Sequence, residues 1–266
     1  MVKKPVFTSI NMDNSFFASL ITSIFVGGAA GYLGSLMVTR RMALVGDALG
    51  HVALPGMGLA LILGLDVSLG AFIFLFLGII LIWLFGLRTS LPMEALVGIV
   101  FVTSLAVGFL IIPEPELLES LIGDISQVSF QMALIASFLS LVVIFVIKKI
   151  YSGLILANIS EDLALVEKIN VKKQNIVYLL CIALIVSLGI KVTGSLLVGA
   201  LTIIPAATAR NLSGSLKSYY LTSLVLGVVS SIIGLYLFKI FSLPAGPLII
   251  LTSSFFFLIS LVIKKS

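Results

Sequence analysis

Nine apolar stretches constrain this chain more than any other feature of its sequence. They run at about 16–38, 43–65, 67–87, 94–112, 128–147, 174–190, 194–209, 218–238 and 245–263. A helical bilayer crossing takes about 20 apolar residues. Lipid offers no water to backbone N–H and C=O groups, so a spanning segment must be a helix or part of a closed barrel, and runs this long exclude barrel strands. The predicted fold is therefore all-α: a polytopic membrane helix bundle of about 8–9 transmembrane helices. It reads as a single transmembrane domain over 1–266, with an amino-terminal segment, 1–14, ahead of the first helix. The short run at 194–209 fits either a full span or a re-entrant helix. Composition agrees, because only 10% of residues are charged, against about 25% in soluble domains.

The basic residues sit in small groups between the runs. Arg40 and Arg41 follow the first, Arg88 the third, Lys148 and Lys149 the fifth. Lys168, Lys172 and Lys173 precede the sixth, Arg210 and Lys217 lie between the seventh and eighth, and Lys264 and Lys265 end the chain. With nine spans and an outside amino terminus, the positive-inside rule places all of these in the cytoplasm. Asp66, Lys191, Lys239 and the acidic segment from Glu114 to Asp124 then fall outside. Lys3 and Lys4 break the pattern and favour eight spans or a re-entrant piece. The net charge of +5 is therefore a topology signal, and the expected contact is membrane lipid, with no nucleic-acid partner. A cleavable signal peptide is not expected, because no small-residue cleavage site follows a short apolar core. The single cysteine, Cys181, lies in an apolar run and reads as a packing residue.

Within this oily sequence, residues 46–56 read GDALGHVALPG. His51 is the only histidine in the chain. Asp47 precedes it by four positions, so on a helix the two share a face. Charged groups in a membrane helix cost roughly 2.5–3.5 kcal/mol each on insertion scales. One reading is a polar pair that satisfies itself near a helix start. The other is a cation site, since a carboxylate and a neutral imidazole suit divalent first-row ions. Pro55 and Gly56 come one turn later, and the stretch TGSLLVGALTIIPAATAR, 193–210, places Pro205 similarly. Interrupted helices are favoured at transporter sites, and bundle kinks explain such prolines equally well. Two GxxxG pairs, Gly27/Gly31 and Gly46/Gly50, predict close helix packing.

The loop NISEDLALVEKINVKKQN, 158–175, carries a second signal. Ser160 before Glu161 and Asp162 is a helix-start signature. Leu163, Val166 and Ile169 recur on one side, which predicts a short amphipathic cytoplasmic helix. It is read either as a headgroup anchor or as a helix that docks into a partner's groove. No GxxxxGK[ST], HExxH or GxSxG occurs, so the chain has no P-loop, zincin or hydrolase signature.

Four stretches, RRMALVGDALGHVALPGMGLA (40–60), MEALVGIVFVTSLAVG (93–108), LIGDISQVS (121–129) and GSLLVGALTIIPAATAR (194–210), together with LPAGPLIILTSSFFFLIS (243–260), resemble the ABC-3 permeases, the membrane subunits of manganese/zinc/iron ABC importers. The resemblance implies a type II-like importer permease that is not itself an enzyme. It implies a homodimer of two permease copies, two cytoplasmic ABC ATPase subunits that supply the missing P-loop, and an extracytoplasmic metal-binding solute-binding protein docking on loops that include 113–127. It implies a bacterial or archaeal cell membrane location, no permanently bound cofactor, and a transported Mn2+, Zn2+ or Fe2+ ion. Asp47 and His51 then correspond to metal ligands in the translocation path, and the helix of Glu161, Asp162, Leu163, Val166 and Ile169 to the coupling helix. The family often has an acidic pair where this sequence has Glu94-Ala95, so Glu94, with Pro55 and Pro205, is a secondary candidate. The rival readings are a stand-alone secondary cation transporter or channel, and a membrane-embedded enzyme using His51 as base.

Overall fold

The computed structural model describes residues 12–112, 125, 128–195 and 198–263. Its described residues form eleven helices and no strand: α1 Met12–Thr39, α2 Ala43–Val52, α3 Leu54–Leu63, α4 Val67–Arg88, α5 Met93–Ile111, α6 Phe130–Ile159, α7 Glu161–Val166, α8 Val171–Thr193, α9 Val198–Leu212, α10 Leu216–Phe241 and α11 Ala245–Ile263. Eight stretches are long and apolar enough to cross a membrane, with α2 and α3 together making one crossing, Ala43–Leu63. Ala53 between them keeps right-handed helical angles, so Pro55 at the start of α3 scarcely interrupts the rod.

Polar side chains at the loop ends start several helices, as N-capping requires. Asp66 Oδ1 accepts from Leu69 N at 2.9 Å, Asn170 Oδ1 from Lys173 N at 3.0 Å, and Ser215 Oγ from Ser218 N at 3.2 Å. Ser160 caps α7 through Leu163 N at 3.4 Å.

Burial separates a centre from a rim. In α1 and α2–α3, 67% and 72% of the span is buried, against 22–28% for α4, α5, α6, α10 and α11. The centre is built by small residues. Antiparallel α1 and α10 meet with Gly27 on Gly227 and Gly31 on Ser223. The register extends from Phe16 against Tyr236 (5.9 Å between ring centroids) to Tyr32 against Tyr220 (5.2 Å). Without a hydrophobic drive between helices in lipid, such close backbone approach supplies the packing.

The helix ends set the topology. Phe16, at the start of α1, lies under the Lys239 ammonium (4.8 Å) near the end of α10. At the other end, Arg40 meets Asn175 near the start of α8, and Arg210 lies over Tyr219 near the start of α10 (5.9 Å). Arg40, Arg210, Lys172, Lys173 and Lys217 thus cluster at one end of the bundle, which the positive-inside rule assigns to the cytoplasm. Helix α1 starts at the opposite end, which agrees with the outside-start reading, while the helices long and apolar enough to cross number eight among the described residues. Lys3 and Lys4 lie outside the described residues. The acidic 114–124 segment lies outside them too.

Two sequence expectations need correction, and one left open is narrowed. Of the two forms open to the 194–209 run, a full span is not seen: α9 has 15 described residues, about 22 Å, and follows a non-helical turn at Gly194–Ser195. It still travels from beside Gly189 to the basic end, so it completes a crossing begun by irregular backbone. The fifth run is longer than its apolar stretch, because α6 continues for 30 residues through Lys148 and Lys149. Finally, α7 ends at Val166, so Ile169 is not part of it. Its buried residue is Ala164, while Leu163 (51% exposed) and Val166 (77%) point outward.

Candidate functional site

Asp47 and His51 both lie on α2, part of the most buried crossing. The i, i+4 spacing puts them on one face, and both are half-buried. The other α2 residues from Val45 to Val52 are buried. The pair therefore occupies the one stripe of this helix that is not packed away.

Two neighbours hold the stripe. The backbone of α9 is pressed directly onto Asp47: a Cβ built on Gly199 would lie 2.5 Å from Asp47 Cβ and 2.6 Å from its Cα. The Gly46/Gly50 pair makes this possible, with Gly46 against Gly199 and Thr202, and Gly50 against the Ser195 carbonyl and Val198. On the other flank, α5 lays the Phe101 ring against the His51 imidazole, with centroids 5.4 Å apart and planes inclined at 46°.

His51 Nδ1 is buried and makes no hydrogen bond. A histidine that ligates a metal usually donates its second nitrogen to a carboxylate or carbonyl, which fixes the ring and raises its basicity. Here Phe101 packing fixes the ring instead. A carboxylate and an imidazole orientated this way offer one hard and one borderline donor. Among the described residues no group of three or more His, Cys, Asp or Glu side chains comes together, so the pair is at most part of a coordination shell. Two further oxygen donors lie against the same helix: the Ser195 carbonyl beside Gly50 and the Thr202 hydroxyl beside Gly46.

The secondary candidates separate. Glu94 lies in the first turn of α5 and is exposed. It stands seven residues before Phe101, about 10 Å along the helix, and acts as a helix-start acid rather than a member of the Asp47/His51 pair. Pro55 is buried in the first turn of α3, and Pro205 is buried inside α9, which continues past it. Sequence reasoning missed Phe101, and it marked Gly199 only as part of the 193–210 stretch that resembles the Pro55 break. Nothing marks Phe101 among 18 phenylalanines, whereas the Gly46/Gly50 pair did signal that a backbone would approach α2.

The model of the ABC 3 transport family matches residues 12–264. The chain belongs to this family. Among its relatives, the manganese import system permease protein ScaB of Streptococcus parasanguinis is 33% identical over 249 residues, covering 92% of this chain and 89% of that one. The high-affinity zinc uptake system membrane protein ZnuB of Haemophilus influenzae is 30% identical over 256 residues, covering 94% and 98%. Among solved structures, PsaBC from Streptococcus pneumoniae in complex with Fab superposes with a TM-score of 0.80 at 31% identity, covering 94% of this chain and 92% of that one. An inward-facing metal-chelate type ABC transporter shares the fold with a TM-score of 0.78 at 17% identity. This ABC 3 family chain is thus a multi-pass helical membrane protein.

Proposed function

We propose that the chain is the permease subunit of an ABC importer for a divalent first-row transition metal ion, Mn2+, Zn2+ or Fe2+. The observation that carries the reading is the Asp47/His51 pair. It is the only half-open acid–imidazole stripe on a central helix, in a chain whose relatives are named for manganese import and for zinc uptake. Either metal suits a carboxylate with an imidazole, and ligand type alone does not rank them.

In this reading the ion is the substrate. A solute-binding protein delivers it at the end away from Arg40. The Asp47 carboxylate and the His51 imidazole replace part of its water shell between the two copies of a homodimer. A shell of two protein side chains holds the ion weakly, as a site that must release its cargo requires. Two ATPase subunits engage α7, whose Leu163 and Val166 are exposed. A substrate bound equally in both states shifts nothing, so the energy for reorientation enters through that contact.

The test is metal uptake by cells whose own importer is deleted. Asp47→Ala and His51→Ala each abolish uptake of Mn2+ or Zn2+ while the complex still assembles. Normal accumulation in both variants removes the site assignment. For the coupling contact, charge reversal at Glu161 and Asp162 lowers transport relative to ATP hydrolysis. Unchanged stimulation of hydrolysis by the loaded binding protein would leave α7 as a headgroup anchor.

A further inference from the structure

The corner between α1 and α2 and the base of α8 are joined by a contact that the importer reading does not use. Arg40 ends the α1 region, and Arg41 after it turns the chain with a left-handed backbone, φ 57°. The turn is held by Met42 N donating to the Met37 carbonyl at 2.8 Å, so Arg40 stands at a fixed angle to α2, across the turn that precedes it. Its Nη2 donates to Asn175 Oδ1 at 2.9 Å across 135 residues of sequence. Its guanidinium carbon sits 5.1 Å from the centre of the Tyr178 ring. Tyr178 is fully buried, and Asn175 and Tyr178 occupy one face of α8 at i, i+3. A guanidinium can grip this face because it is planar and offers several donors in a fixed fork; a lysine cannot. Burial also removes its alternatives. Arg40 Nε is enclosed without a partner, and among the described residues no carboxylate pairs with Arg40. Stacking and a single hydrogen bond hold it in place of an ion pair.

The α8 contact starts one turn after the Asn170 cap, and Asn170 ends the short stretch after α7. Farther along, α8 turns at Gly194 and returns as α9, whose Gly199 lies on Asp47. The corner between α1 and α2 is therefore held to the base of α8 by Arg40, and α2 itself is held by Gly199 and Ser195 beside the acid–imidazole pair.

We propose that Arg40 is a positioning residue for transport. It locks the α1–α2 corner to the base of α8, so that displacement of α8 by the ATPase tilts α2, with Asp47 and His51, through that corner. This rests on the importer reading above, and in particular on α7 as the point where the ATPase acts.

The test uses the permease assembled with its ATPase and solute-binding protein in proteoliposomes, with Mn2+ or Zn2+ as the probe, whichever the wild type carries. The readout is metal moved per ATP hydrolysed, with assembled complex quantified for each variant. Arg40→Gln and Asn175→Ala are each expected to lower that ratio at least about fivefold, the lower range of measured site-to-site coupling. ATP hydrolysis continues in both. Arg40→Lys, which keeps charge but loses the fork, is expected to resemble Arg40→Gln, and Tyr178→Phe, which keeps the ring, to resemble wild type. The Arg40→Gln/Asn175→Ala double variant should be no worse than either single one. Should Arg40→Gln fail to assemble, Asn175→Ala decides alone, because it removes the acceptor and leaves the arginine. An unchanged ratio in Asn175→Ala, or effects that multiply in the double variant, overturns the proposal. Charge reversal at Glu161 and Asp162 runs in parallel. If it lowers the ratio while the Arg40 and Asn175 variants do not, the lock is wrong and the importer reading stands. If it and Asp47→Ala both leave transport intact, the importer reading itself has failed.

Discussion

The tightest constraint on Asp47 is a missing side chain on another helix, so Gly199→Ala is the most informative single change. A Cβ there would meet Asp47 Cβ at 2.5 Å, its Cα at 2.6 Å and its N at 2.7 Å, where ordinary contact begins at 3.4 Å. The two helices must part by about 1 Å, and the opposing atoms are mostly backbone, which no rotamer change can move aside. Nor can α9 retreat freely, because it packs on α1, α8, α10 and α11. Overpacking of this kind costs roughly 1–3 kcal/mol. Alanine regains up to about 1 kcal/mol over glycine as a helix former, so the net loss of stability is roughly 0–2 kcal/mol. Function should suffer more, since a displacement of about 1 Å at a positioned group can cost about 100-fold. The expected result is a fall in metal uptake of at least about tenfold, beside a small drop in the thermal midpoint of the purified complex. Gly98→Ala on α5 is the matched control, because nothing lies within 4 Å of a Cβ there. Uptake into intact cells, normalised to assembled complex, with melting in detergent, measures both. Wild-type uptake in Gly199→Ala refutes the packing argument, as does equal loss in Gly98→Ala.

Phe101→Ala should weaken the metal site without unfolding the bundle, because it frees the His51 ring; the half-saturating metal concentration should rise several-fold, with Phe101→Tyr near wild type, and no change in Phe101→Ala would show that the ring is fixed otherwise. Gly31→Val should prevent assembly altogether, since its side chain must enter the Ser223 backbone of α10; a normal yield of complex would contradict the zipper described for α1 and α10. Glu94→Gln should leave uptake close to wild type, consistent with its exposed helix-start position; loss comparable to that of Asp47→Ala would bring Glu94 back into the site.

The helices were legible in the sequence because lipid leaves a spanning backbone no other way to bond, so long apolar runs translate directly into rods. Hydropathy misplaced the boundaries where polarity and helicity part company. Lys148 and Lys149 close the fifth apolar run, yet nothing in 148–159 stops a helix, and α6 continues to the capping serine at 160. The reverse holds at Gly194 and Ser195, where the helix breaks at a glycine with φ 81° inside an apolar run. Asp47 and His51 stood out as rare residue types on one helical face. Phe101 did not, and the contact of Gly199 with Asp47 was not legible, because these roles come from which helices become neighbours, and single-chain periodicity carries no information about that. On α7 the amphipathic period of Leu163 and Val166 marks the outward face, while Ala164, which the period did not mark, is the residue buried against the bundle.

With Asp47 and His51 as the proposed site, the heights of the polar groups have a consequence for the ion's route. Tyr151 Oη lies 3.2 Å from Ser35 Oγ, which puts Lys148 and Lys149 within a turn of the level of Gly34. Gly34 and Gly46 both rest on Thr202, which brings Asp47 to that level as well. The acid therefore sits near the inner headgroups rather than at the middle of the bilayer. From Asp47 to the inner end of α2 is about 6 Å, and from His51 to the far end of α3 about 18 Å. The two doors of such a pathway are unequal. The inner one can be thin, opened by a small tilt, while the outer one is a long corridor that has to close along most of its length.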